Sequence, residues 1–165
     1  MLAVFSPLLR KAPPLYAISA KDSDSRMTEV DISNGKFNFN GEFFKPQIET
    51  ESVGSHTVGK NLYSNMSLNG IVKNIPFRAT GYYKNKELKS ISLTIESEYL
   101  KANYHPPKDI DFRDYLTPYV DYWKQLTEEL INEMLKSKKR NFSWGKVQVK
   151  VDPRNPTVYC EIKYY

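Results

Sequence analysis

One stretch, Thr117 to Arg140 (TPYVDYWKQLTEELINEMLKSKKR), carries helical periodicity in a chain that otherwise alternates like paired strands. Leu116, Tyr119, Trp123, Leu126, Leu130 and Met134 recur at steps of three and four, which gathers them on one helix face. Val120, Ile131 and Leu135 widen that stripe, while Asp121, Lys124, Gln125, Glu128, Asn132 and Lys136 fall on the opposite side. Thr117 before Pro118 is a start signal: a hydroxyl cap, then a proline where an N–H would go unpaired anyway. Acids come early (Asp111, Asp114, Asp121) and bases late (Lys136, Lys138, Lys139, Arg140), matching the helix dipole. A helix with one apolar side needs an apolar surface to lie on, and strands must supply it.

Those strands read as hairpins. EVDIS and KFNFN flank Asn34–Gly35, the preferred pair for a two-residue type I′ turn, which sets Ile32 opposite Phe37 and Val30 opposite Phe39. A short strand follows at Glu42–Lys45, and the polar residues 47–60 read as a long loop. A second Asn–Gly, Asn69–Gly70, joins Leu62–Leu68 to Ile71–Phe77, with Pro76 placing the latter at an edge or a bulge. Lys84–Asn85–Lys86–Glu87 turns the next pair, setting Ala79 against Leu93 and Phe77 against Ile95. After the helix, Lys146–Val151 and Thr157–Tyr165 alternate around Asp152–Pro156. Pairing Val151 with Val158, Val149 with Cys160 and Val147 with Ile162 keeps one face apolar. The expected fold is α+β: about six antiparallel strands forming a curved sheet packed on one long helix, with a C-terminal β-hairpin after the helix.

A chain of 165 residues fits one domain. Residues 1–26 depart from its pattern and read as a flexible leader, or as a mis-assigned start with Met27 the true initiator; 27–165 form a single α+β domain. Arg10–Lys11 follow the apolar Leu2–Leu9 rather than precede it, the reverse of a secretory signal. A soluble, cytoplasmic protein is expected, with organelle targeting by residues 1–26 left open. No apolar run approaches the ~18 residues of a membrane span, so no membrane insertion is expected. A single cysteine excludes an intramolecular disulfide, and no Cys/His spacing fits structural zinc. No cofactor is expected.

A glycine-rich phosphate loop, a nucleophile elbow, HExxH and paired CxxC are all absent, which disfavours the common enzyme classes. The best candidate for metal-dependent phosphoester hydrolysis is His105, Asp109, Asp111 and Asp114, an imidazole and carboxylates ahead of the helix, with Glu129 and Glu133 a weaker version. Asp111 and Asp114 equally suit a helix first turn. Cys160 alternates inward and reads as a core thiol.

More informative is the face turned away from the core. On the last hairpin it carries Lys146, Gln148, Lys150, Tyr159, Glu161, Lys163 and Tyr165, preceded by Lys139, Arg140 and Trp144. On the middle hairpin it carries Arg78 and Tyr82. Cations interleaved with aromatics serve single-stranded nucleic acid, where charges track phosphates and rings stack on bases. Tyrosine, tryptophan and arginine are also what protein interfaces concentrate. The leading expectation is a small non-catalytic binding module of inhibitor, immunity or adaptor type, its partner a protein with an acidic surface. A single-stranded nucleic-acid-binding protein is the second reading, and the hydrolase the third.

Overall fold

A computed structural model of the chain describes residues 28–48, 54–109, 111 and 116–165. The expected leader and Asp114 lie outside the described residues. The strands are β1 (Glu29–Asp31), β2 (Lys36–Phe39), β3 (Glu42–Phe43), β4 (His56–Val58), β5 (Asn61–Val72), β6 (Ile75–Lys84), β7 (Glu87–Ile95), β8 (Asn141–Phe142), β9 (Gly145–Asp152) and β10 (Thr157–Tyr164). Between β7 and β8 come the helices α1 (Ser97–Asn103) and α2 (Leu116–Leu135).

They form a 7-stranded sheet in the order β4-β5-β6-β7-β10-β9-β8 and a separate 3-stranded sheet, β1-β2-β3. Every pairing is antiparallel. The α+β class stands, but about six strands on one long helix does not. The strands beyond that expectation, β4 and β8, have only 3 and 2 residues, and α1 has 7, too few for a period to show. Nor is the C-terminal hairpin an appendage, because β10 pairs along β7 and continues the main sheet.

Registers show where local signals held. Lys84–Glu87 turns as expected, with Asn85 and Lys86 at φ 53° and 68°, and Ala79 meets Leu93 as Phe77 meets Ile95. In the last hairpin Val151–Val158, Val149–Cys160 and Val147–Ile162 are all opposed. Both Asn–Gly turns, however, move. A type I′ turn needs positive φ at both central residues. At the first site Gly35 has it (72°), whereas Asn34 is not left-handed. The Asp31 carboxylate instead accepts from the Ser33 N–H at 3.0 Å and from the Asn34 amide at 2.6 Å, and the Gly35 N–H closes on the Asp31 carbonyl at 2.9 Å. The turn therefore spans residues 32–35 and Val30 faces Phe37, two residues from the expected register, which leaves Ile32 47% exposed.

At the second site β5 runs straight through Asn69–Gly70, and the chain turns at Lys73–Asn74 (φ 47° and 63°). Gly70 is needed inside the strand: a Cβ there would lie 2.2 Å from the ring of Phe77. Pro76, expected at an edge or bulge, is the second residue of β6, an interior strand, opposite Ile71. The expected 47–60 loop contains β4, paired on β5, while its residues 49–53 lie outside the described set.

Helix α2 ends at Leu135 rather than Arg140. Lys136 turns left-handed (φ 49°), the Ser137 N–H reaches the Asn132 carbonyl at 3.2 Å and the Lys136 N–H that of Glu133 at 3.4 Å, a Schellman cap. Trp123, Leu130, Ile131, Met134 and Leu135 are buried as the stripe requires. Leu116 is not, at 57% exposed, and Thr127 takes an unexpected place at 1%, its hydroxyl donating to the Trp123 carbonyl at 2.8 Å. The helix lies on β10, β9 and β5 and touches β1, while β2 lies on β5. Phe39 brings the small sheet into the same core, its ring edge-on to Phe44 and Phe77 at 5.7 and 5.9 Å. One face of the main sheet is thus covered by α2 and the small sheet together. No described helix is long and apolar enough to cross a membrane.

Candidate binding face of the main sheet

Alternation decides what the other face carries. With Phe77, Ala79, Ile91, Leu93, Ile95, Val158, Cys160 and Ile162 buried inward, Arg78, Thr80, Tyr82, Ser90, Ser92, Thr94, Tyr159, Glu161 and Lys163 must point outward. The registers then align rows across the strands. Ser67, Thr80, Ser92, Glu161 and Gln148 form one, with the Ser67 and Thr80 hydroxyls 3.0 Å apart. Asn65, Tyr82, Ser90, Lys163 and Lys146 form the next.

From Tyr82 and Ser90 to the turn of the last hairpin the face carries an open groove of about 480 Å³. Its floor is small and hydroxylic (Ser90, Ser92, Thr94, Thr157), Tyr82 and Tyr159 line it, and Asp152, Asn155 and Glu161 add acceptors. The floor is low because β7 places serine and threonine at its outward positions. The Lys150 ammonium donates to Glu161, and that bond holds the Lys150 pKa above its ordinary value. The Asp152 carboxylate accepts from the Arg154 N–H at 2.8 Å and shapes the hairpin turn.

Of the residues expected on a binding surface, Arg78, Tyr82, Lys146, Lys150, Tyr159 and Lys163 share this face. Tyr165 follows directly after β10 and is 77% exposed. The structure does not bring the others to it. Trp144 donates its indole N–H to the Ile32 carbonyl at 2.8 Å and packs on Phe37, Phe142 and Tyr164, joining the small sheet to the large one. Arg140 turns back to α2, donating to Glu128 at 2.8 Å and Asn132 at 2.6 Å. Lys139 lies with its ammonium 5.3 Å from the Phe142 ring. Nothing in the sequence marks the groove's serines and threonines, because a small polar residue on a strand carries no functional signal.

His105, Asp109 and Asp111 are exposed, and among the described residues no three His, Cys, Asp or Glu side chains gather to hold a metal ion. Cys160 is buried, and desolvation pushes its thiol far above the ordinary range, which suits an inert core residue.

No family model matches the chain, and no curated protein matches it. Among solved structures it is similar to a chain of one described as "Rhs1-CT in complex with cognate immunity protein RhsI1". The two are 14% identical with a TM-score of 0.40, over 84% of this chain and 87% of that one. A likeness at this level carries no argument about function.

Proposed function

We propose that this protein is a non-catalytic module that binds another protein through the outward face of its seven-stranded sheet. The observation that carries the reading is the asymmetry of that sheet. One face is sealed by α2 and the small sheet, while the other presents a groove between Tyr82 and Tyr159, with Arg78 on the same face. Protein interfaces concentrate tyrosine and arginine: the tyrosine ring buries much area at little cost in rotamer freedom, and the guanidinium brings several fixed hydrogen-bond donors. Asp152 and Glu161 in the groove itself favour a protein over a nucleic-acid strand, whose phosphates they would repel.

The test is quantitative affinity capture from the native cell extract, using as baits the wild-type chain and its Arg78→Ser/Tyr82→Ser/Tyr159→Ser variant. A protein retained by the first and lost by the second supports the reading. Identical retention by both, with the variant folded by circular dichroism, overturns it. Retention dominated by nucleic acid, abolished by nuclease, assigns the face to the single-strand reading instead.

A further inference from the structure

The row beside the groove ends in two like charges. Lys146 on β9 stands directly opposite Lys163 on β10, and Lys163 stands opposite Ser90 on its other side. Directly opposed residues in an antiparallel pair have Cβ atoms only ~4.5–5.5 Å apart, and like charges there are destabilising. The nearest acid on β10, Glu161, is engaged by Lys150. Neither Lys146 nor Lys163 has an ion-pair partner among the described residues; exposed lysines such as Lys60 and Lys124 also lack one, but these two are set directly opposite each other. Lysine is a common guard on sheet edges, but β10 is an interior strand between β7 and β9, so edge protection does not account for Lys163.

Resting on the binding face proposed above, we infer that the Lys146–Lys163 pair is the charged anchor of that face and seats a carboxylate-bearing segment of an acidic protein partner. A carboxylate placed between the two ammoniums converts an internal repulsion into two charge-assisted hydrogen bonds. The occupant is a protein rather than a polynucleotide because the cations sit at one end of the row. The Ser92–Glu161 row and the groove separate them from Arg78, and Lys150 is engaged by Glu161, so no continuous line of free cations tracks phosphates across the face. The interface then has two parts, an acidic segment on the lysines and an adjoining surface of the partner against Tyr82 and Ser90.

The probe is a fluorescein-labelled peptide of alternating glutamate and glycine, followed by anisotropy at low salt against the full chain. The glutamate peptide should bind and its glutamine counterpart should not. The Lys146→Ser/Lys163→Ser variant should lose roughly tenfold in affinity, as loss of a paired charge contact implies. Lys138→Ser/Lys139→Ser, which removes the same charge from exposed positions off the face, should lose little. A third variant, Lys163→Glu, gives Lys146 an internal partner, so it should raise Tm while abolishing peptide binding; this guards against a variant that merely unfolds. Equal losses from the two double variants, no binding of the glutamate peptide, or tighter binding of an oligothymidylate of matched charge through the same lysines would each overturn the inference. A native partner lost with the tyrosine replacements but kept by Lys146→Ser/Lys163→Ser would overturn the anchor alone and leave the binding face standing. A partner indifferent to both would remove the face as well.

Discussion

At the scale of single residues, Leu130 sits in the middle of the buried stripe of α2, 1% exposed. Truncation there leaves a cavity under the main sheet, and Leu130→Ala is expected to lower stability by about 2–5 kcal/mol in urea melts. Lys124, exposed on the opposite side, is the appropriate control, and Lys124→Ala should stay within about 0.5 kcal/mol. Similar losses for the two would contradict the face assignment. Glu128, which periodicity also places on the outer side, is not neutral, because it accepts from Arg140 at 2.8 Å. Glu133 shows how a charge on the helix ties it to a distant turn. It bonds Lys136 within the helix end and Lys73 on the β5–β6 turn at 2.8 Å, and these bonds lower its pKa from 4.5 to about 2. A carboxylate with a depressed folded pKa contributes stability above its unfolded value and loses it as pH falls through the folded one. Stability should therefore drop between pH 4.5 and about 2, and Glu133→Gln should flatten that part of the pH profile. An unchanged slope in the variant would show that the contact is not held in solution.

At the scale of elements, turn chemistry was legible only where no side chain competed for the backbone. Asn85–Lys86 forms a two-residue turn in which Lys86 is left-handed at φ 68°, a region that disfavours a side chain by roughly 1–2 kcal/mol. Lys86→Gly should accordingly stabilise the protein by up to about 1 kcal/mol, read as a raised urea midpoint with an unchanged m-value. A fall in midpoint would mean that the lysine side chain makes a contact worth more than the strain. The Asn–Gly dipeptides misled for two different reasons. Asp31 captured the amide groups of Ser33 and Asn34 and enlarged the first turn, while Gly70 was required beneath Phe77 and could not serve as a turn at all. The end of α2 departs from the sequence signal for a third reason. Lys138, Lys139 and Arg140 extend the basic tail expected of a helix C-terminus, yet the Schellman cap at Lys136 frees Arg140 to fold back on Glu128.

At the scale of the whole molecule, two sheets share one core, and Trp144 fastens them. Its indole donates to Ile32, Tyr164 donates to the Gly35 carbonyl at 2.8 Å, and the Trp144 ring covers Gly35 so closely that a Cβ there would lie 2.3 Å away. Trp144 is only partly buried, so Trp144→Ala should cost about 3 kcal/mol, the low end of the range for core aromatics. It should also expose the amides of β1 and β2 to hydrogen exchange while those of β6 and β7 stay protected. Uniform deprotection of all four strands would show that the sheets do not separate. By itself, the alternation of β6, β7, β9 and β10 determined the inward set, the registers of two hairpins and the outward placement of Arg78, Tyr82, Lys150, Tyr159 and Lys163, because a period of two leaves each residue only one face. Tertiary structure alone decided that β10 joins β7 and so brings both hairpins' outward residues onto one surface, with Ser90 beside Lys163. It also decided that Trp144 turns to the small sheet and Arg140 to α2, and that one side of the sheet lies under α2 and the small sheet. Those outcomes depend on contacts between segments far apart in the chain, and no local periodicity encodes which strand edge a later hairpin will meet.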